Sequence, residues 1–229
     1  FIVSEDWYFV SHRLHLAKAA ISSGCKVALL SHYTNHRSII ENAGIEIIDW
    51  SLKRSSINIF QKIKAIKNII SSIRQFRPDI IHSVAMKPVI YSSIASLIVG
   101  LENRVFAFAG LGYIFSSKKR SAILLRPLME LAFRFFLNGK RTRLILQNKE
   151  DQLSLLSANV INDNNIRLIR GAGVDTDIFN LQPMPTSLPI ITLPSRMLWA
   201  KGIQDFIDCA QETNKNNTIA RFVLVGTPD

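Results

Sequence analysis

Short apolar runs alternate with amphipathic helical patterns along this chain from one end to the other, and that alternation restricts the fold more than any other feature. Runs such as Lys26–Ser31 (KVALLS), Asp79–Ser83 (DIIHS), Arg104–Phe108 (RVFAF) and Arg143–Gln147 (RLILQ) read as short buried strands. Between them, apolar residues recur at spacings of three and four, as at Ile59, Ile63, Ile66, Ile70 and Ile73. That spacing places side chains on one stripe of a helix. Strands alternating with helices build an α/β fold, with a parallel sheet covered by helices on both faces. Strands that are apolar almost throughout fit such a doubly covered sheet.

The local expectations follow. Phe1–Ser4 closes a strand, Ser4–His12 is a loop, and Arg13–Ser23 is a helix stopped by Gly24. Further helices are expected over Arg37–Ala43, along the isoleucine stripe, near Val89–Val99, near Ser121–Leu137 and over Lys149–Ser157. The Arg77-Pro78 pair ends the isoleucine helix, because the residue before a proline disfavours helix. After Phe179 the stretch NLQPMPTSLP has three prolines and no periodicity, so it reads as a linker. The pattern then restarts with PIITLPSR, a helix over Gly202–Thr213, and ARFVLVG. The expected division is a first domain over 1–180, a linker over 181–189, and the opening of a second α/β domain over 190–229. Phe1 already stands in an apolar run and the final residues read as a strand and its turn, so a fragment open at both ends is expected.

Composition narrows the class. At 229 residues and 48% apolar, the chain can bury a sizeable core. Cys25 and Cys209 lie far apart and suggest no disulfide framework, which favours a reducing compartment. No signal peptide is visible, and the weakly polar stretch Pro88–Leu101 is too short to span a bilayer. The formal net charge of +11 points to nucleic acid, an anionic membrane or anionic substrates as partners. The cations cluster in two places. Lys53, Arg54, Lys62, Lys64, Lys67, Arg74 and Arg77 surround the isoleucine stripe. Lys118, Lys119, Arg120, Arg126, Arg134, Lys140, Arg141 and Arg143 flank a helix with Leu124, Leu128, Leu131 and Phe135 on one stripe. Basic amphipathic helices at 57–77 and 118–143 can lie in the headgroup region of an anionic bilayer. Alternatively, each stripe is a core face under solvated lysines. No recognition module for nucleic acid is present, so none is expected as a partner.

In open α/β sheets, ligands bind beyond the carboxyl ends of the strands. That rule selects the loops at Ser4–His12, at His82 and Ser83, at AGLG (109–112), at GAGVD (171–175) and at Arg196–Gly202. The last is the most informative. Arg196 ends an apolar strand and Lys201 precedes a helix start, so two cations flank free helix N–H groups that also attract anions. A diphosphate fits that place, and a solvated surface lysine is the alternative. His82 at a strand end can orient or polarise a hydroxyl; a structural histidine bonded to backbone is the other reading. Ser11 can be a helix N-cap. Asp175-Thr176-Asp177 spells D-x-D but lies in a turn before the linker, and is expected to be a capped turn. His12 with His15, and His32 with His36, lack a third ligand, so no catalytic metal is expected. Neither GLG nor GAG completes G-x-G-x-x-G, which argues against a dinucleotide site.

Taken in order, these segments resemble the retaining family-4 glycosyltransferases of the GT-B type. Gly173, Val174, Asp175 and Phe179 match a G-V-D-x-x-x-F motif; Arg196, Lys201 and Gly202 match a strand ending in G-R followed by K-G at a helix start. Ser195 stands where that family often has glycine. SHRLHLAKA, PDIIHS and GLGYIF resemble a subgroup that transfers sugars to polyprenyl-diphosphate carriers. The resemblance implies a Rossmann-like acceptor domain followed by the first part of a Rossmann-like nucleotide-sugar domain. It implies donor contacts from Ser11, His12, Gly173, Val174, Asp175, Arg196, Lys201 and Gly202, and acceptor contacts from His82, Gly110 and Gly112. His82, Arg196 and Lys201 are the expected catalytic residues. The donor, a nucleotide sugar and most simply a UDP-sugar, is a substrate, and no cofactor is implied. The acceptor is lipid-linked or a saccharide, with anomeric configuration retained. The implied place is cytoplasmic, peripheral on the inner face of the membrane. A sugar-nucleotide epimerase of the same architecture and a truncated non-catalytic partner are the alternatives. The family's E-x₇-E element would lie beyond Asp229, so the chain as it stands is expected to have little transferase activity.

Overall fold

A computed structural model describes residues 1–50, 58–111, 120–183, 187–215 and 220–227, with residues 120–122 described by their backbone alone. The chain separates into two compact units, Phe1–Gly173 and Val174–Asp229. The division falls inside the G-V-D turn, upstream of the linker that the prolines predict.

In the first unit the elements run β1 (Ile2–Glu5), α1 (Asp6–His12), α2 (Leu14–Ser22), β2 (Ala28–His32), α3 (Arg37–Asn42), β3 (Glu46–Asp49) and α4 (Ile59–Phe76). They continue with β4 (Ile81–Val84), α5 (Met86–Val99), β5 (Arg104–Phe108), α6 (Arg120–Leu137), β6 (Thr142–Leu146), α7 (Lys149–Ser157) and β7 (Ile166–Leu168). The strands form one sheet in the order β3-β2-β1-β4-β5-β6-β7, every pair parallel. Progression runs one way from β1 to β3 and the other way from β4 to β7. The order therefore reverses between β1 and β4, the topological switch point where open α/β sheets form their ligand crevice.

Successive strand residues face opposite sides, so apolar pairs feed two layers. Ile2 and Leu30 join Trp50, Ala65, Ile69, Ile73, Tyr91 and Ala95 on one side, under α4 and α5. Val3 and Leu29 join Phe9, Ala17, Ile40 and Val84 on the other, under α1, α2 and α3. A third cluster, with Phe106, Phe108, Phe133, Leu137, Leu144, Leu146 and Leu155, holds α6 and α7 to β5 and β6. Each buried Val, Leu, Ile or Phe side chain contributes about 1.5–3 kcal/mol through burial.

Three local expectations change. The segment read as a loop over Ser4–His12 is mostly the helix α1, because Phe9 is fully buried and anchors it. Ser11 consequently lies in the last turn of α1, and Arg13, not Ser11, is the N-cap position of α2. The isoleucine stripe of α4 is only partly core. Ala65, Ile69, Ser72 and Ile73 are buried, while Ile59 and Ile63 are exposed. The helix ends as predicted at Phe76, with Arg77 in the left-handed conformation before Pro78. The leucine stripe of α6 is not core either: Leu124 is 82% and Phe135 69% exposed, whereas Phe133 and Leu137 are fully buried. Lys53, Arg54, Lys118 and Lys119 lie outside the described residues, as do the side chain of Arg120 and Gly112.

The second unit holds β8 (Ile190–Pro194), a single 3₁₀ turn at Trp199–Lys201, α8 (Ile203–Lys215) and β9 (Arg221–Val225). β8 and β9 pair in parallel over five residue pairs, from Ile190↔Arg221 to Pro194↔Val225. This is one strand–helix–strand unit, as the restarted pattern predicts.

Candidate functional site

The switch point of the first unit is built where β1 runs into α1 and β4 runs into α5. Asp6, the first residue of α1, is fully buried and gathers four hydrogen bonds. Its carboxylate accepts the Trp7 N–H at 2.8 Å, the Thr34 N–H at 2.7 Å, the Thr34 hydroxyl at 2.8 Å and the His36 N–H at 3.1 Å. Burial disfavours its charge, yet these donors outweigh it and hold the carboxyl below its ordinary range. The loop after β2 is thereby locked to the exit of β1. Sequence reasoning passed over Asp6; the signal was an acid directly after an apolar strand, at the carboxyl end where backbone N–H groups of the next loop need an acceptor.

His82 is the second residue of β4, not its last; the strand runs on through Val84. The imidazole stacks on the Phe1 ring at 5.1 Å between centroids, and its Nε2 is buried without a hydrogen-bond partner. Burial, with smaller contributions from the Phe1 amino group and Arg13, lowers its pKa to about 3. The ring is therefore neutral at physiological pH and offers a hydrogen-bond acceptor or donor, not a charge. Phe1 also meets Phe9 edge-on at 5.5 Å, so β4 and α1 share this aromatic contact.

The turn after β4 holds a further feature that sequence reasoning missed. Ala85 adopts φ 76° and ψ 162°, a region nearly reserved for glycine. Its N–H is held by the Ala107 carbonyl at 2.9 Å and its own carbonyl accepts the Val89 N–H at 3.1 Å. Such strain, worth about 1–3 kcal/mol, concentrates at ligand sites. No sequence pattern distinguishes this alanine from any other.

The remaining first-unit residues are more dispersed. Ser11 is exposed. His12 stacks on Tyr8 at 4.3 Å, and its Nδ1 is buried without a partner. Gly110 follows β5 with φ 139°, and among the described residues nothing lies within 4 Å of where a Cβ would project. Gly173 closes the unit with φ 75°.

In the second unit, Val174 is exposed and Asp175 caps a turn: its Oδ1 accepts the Asp177 N–H at 3.0 Å, and its carbonyl accepts the Phe179 N–H at 2.8 Å. The D-x-D triplet is thus a capped turn. Among the described residues no three His, Cys, Asp or Glu side chains group as metal ligands. Beyond β8, Ser195 and Arg196 lead into the 3₁₀ turn that carries Lys201; Gly202, with φ 77°, then redirects the chain into α8. Arg196 and Lys201 are both exposed. The turn is fixed from β9. The Ser195 N–H donates to Val225 O at 2.9 Å, the Met197 N–H donates to Thr227 O at 3.2 Å, and a Cβ on Gly226 would fall 1.8 Å from the Ser195 carbonyl oxygen. Gly226 is the residue that admits this approach. Strand end, turn with two exposed cations and 13-residue helix follow one another within this unit alone.

A family model described as glycosyl transferase 4-like matches residues 1–148. Across 228 residues the chain is 23% identical to the N,N'-diacetylbacillosaminyl-diphospho-undecaprenol alpha-1,3-N-acetylgalactosaminyltransferase of Campylobacter jejuni, covering 95% of this chain and 60% of that protein. A glycosyltransferase structure from Rickettsia africae superposes with a TM-score of 0.67 at 19% identity, over 98% of this chain and 60% of that one. HepE from Anabaena, solved with UDP and glucose, superposes with a TM-score of 0.66 at 14% identity, over 100% and 61% of the two chains. The chain thus spans about three fifths of the length of these relatives.

Proposed function

Because this chain belongs to the glycosyl transferase 4-like family, we propose that it supplies the acceptor-side domain, and the opening of the donor-side domain, of an enzyme that transfers a sugar from a UDP-sugar to a lipid-linked acceptor. One observation carries the reading: the strand–turn–helix at Arg196–Gly202, with two cations beside the start of α8. As the bond from the anomeric carbon to the nucleotide breaks, negative charge develops on the diphosphate oxygens. Arg196, Lys201 and the N–H groups at the start of α8 stabilise that charge without a metal, the electrostatic role that accounts for much of enzymatic rate enhancement. Configuration is retained through attack on the face the leaving group vacates, within an ion pair.

The first unit receives the acceptor. Its switch-point crevice lies beyond the end of β4, where neutral His82, stacked on Phe1 within the strand, acts as a positioning residue for the turn that meets the attacking hydroxyl, with Gly110 at the end of β5. The activity of the Campylobacter relative supports a lipid-linked acceptor, and the UDP and glucose of the Anabaena structure support the donor class. No helix among the described residues is long and apolar enough to cross a membrane. The lipid acceptor is instead met from the inner surface. The exposed stripe of α6 (Leu124, Leu128, Leu131 and Phe135), with Arg126 and Arg134 on the same helix, suits the headgroup layer of an anionic bilayer.

The test is transfer from UDP-sugar by the active enzyme carrying Arg196→Ala or Lys201→Ala. Each loses about 10²–10³ in turnover while the first unit keeps its circular-dichroism spectrum. Unchanged turnover in both variants overturns the assignment.

A further inference from the structure

The end of the sheet opposite the switch point holds a second polar feature. Where α6 runs into β6, a cavity of about 390 Å³ opens beside Asn103, Arg104, Lys140, Arg141 and Arg143. Arg104, the first residue of β5, is only 7% exposed. Its Nε and Nη1 have no hydrogen-bond partner, and no carboxylate is ion-paired with it among the described residues. The neighbouring Thr142 hydroxyl is buried and unpartnered too. A Cβ on Gly139 would fall 2.6 Å from Arg104 Nη2 and 2.7 Å from Thr142 Oγ1, so the glycine makes room for the guanidinium.

Cations at this end of a parallel sheet commonly satisfy the last carbonyls of the incoming helices. Here other groups do so. Asn165 Nδ2 donates to the carbonyls of Leu137, Gly139 and Thr142, at 3.1, 2.9 and 3.1 Å. Asn138 Nδ2 takes the Arg134 carbonyl at 2.9 Å, and Arg143 Nη1 takes those of Lys140 and Thr142. Glu102 is engaged by Arg141 Nε at 3.7 Å at the exposed rim. Arg104 is left as a buried cation with no ion pair of its own among the described residues. Its charge is offset only in part by the more distant Glu102, which Arg141 engages, and an incompletely compensated buried charge is costly.

We infer that this cavity is a second anion site, separate from the donor site, which takes a multiply charged phosphate group with Arg104 behind it and Lys140, Arg141 and Arg143 at its mouth. The phosphate is carried by a phospholipid headgroup or by a soluble phosphate ester. It supplies the direct contact that Glu102 at a distance does not, and the cationic rim raises its local concentration.

The experiment titrates the full chain with inorganic pyrophosphate, following the Arg104 Nε–H resonance and the heat of binding. A parallel arm uses phosphatidylcholine vesicles with and without phosphatidic acid. Saturable binding that shifts the Arg104 resonance is expected. Lys140→Gln with Arg141→Gln, both exposed at the rim, weakens it at least about tenfold, as expected for removing charge-assisted contacts, with the unfolding midpoint unchanged because the Arg141–Glu102 pair is solvent-exposed. Arg196→Ala with Lys201→Ala leaves it as it was, which separates it from the donor site. Arg104→Met keeps the fold and abolishes binding. Response to phosphatidic acid vesicles alone identifies a headgroup as the source; response to pyrophosphate alone identifies a soluble ester; response to both assigns either source to the same site. Absence of both responses, or binding indifferent to the rim substitutions, overturns the site.

Discussion

Asp6 and Thr34 are joined twice: one carboxylate oxygen accepts the threonine hydroxyl at 2.8 Å and the other its backbone N–H at 2.7 Å. With the bonds from Trp7 and His36, this buried carboxylate holds the exit of β1 against the loop that follows β2. Asp6→Ala leaves several buried donors unsatisfied and costs about 2–3 kcal/mol, read from urea unfolding. Because its folded pKa lies below the ordinary 3.8, the unfolded chain binds more protons as pH falls past that value. The contribution is complete above about pH 4 and is lost below it. Asp6→Ala therefore removes part of the acid sensitivity of the wild type, and identical pH profiles would refute this role.

His82 titrates in the same direction from a different cause. Its unfolded pKa of 6.5 falls to about 3 in the folded chain through burial. Across that window the unfolded chain holds a proton that the folded chain lacks, so stability falls as pH drops from 6.5 toward 3. The ring Cε1 proton shift is expected to stay flat from pH 8 to pH 5. A midpoint near 6.5 would contradict the buried, neutral ring.

The two faces of α6 give opposite outcomes. Phe133→Ala opens a cavity against Phe108, with which it stacks at 5.3 Å. It costs about 3–5 kcal/mol. Leu128→Ser with Leu131→Ser, on the exposed face, changes stability by no more than about 0.5 kcal/mol per substitution. It also lowers flotation with anionic vesicles several-fold. Full retention of flotation by this double variant would remove α6 from the membrane contact.

Gly226→Ala probes the donor turn without touching a cation. The added Cβ collides with the Ser195 carbonyl, 1.8 Å away. Overpacking of this kind costs about 1–3 kcal/mol and displaces the Ser195–Arg196 turn. Exchange of the Ser195 amide, bonded to Val225 O, accelerates, and affinity for UDP falls. Unaltered exchange would show that the turn does not depend on β9.

The order of strands and helices was legible in the sequence because periodicity acts over a few residues. RVFAF became β5, and Lys149–Ser157 became α7, at the bounds the pattern sets. The strand–turn–helix at Arg196–Gly202 was legible for the same reason: its parts are neighbours in the chain. The switch point was less so. Trp7-Tyr8-Phe9-Val10 reads as loop until Phe9 finds its place in the core, and Asp6 acquires its meaning from donors 28 and 30 residues away. Ala85 is strained by neighbours on β5, a constraint that carries no local signature.

By itself, then, the sequence determined the alternation of elements, the reversal into a second strand–helix–strand unit, and which helices are rich in cations. Only the tertiary structure decided which face of α6 meets the core, where His82 loses its charge, and that Arg104 is buried with no carboxylate paired to it among the described residues. Local geometry follows from adjacent residues, whereas burial and charge compensation depend on which distant segments the sheet brings side by side.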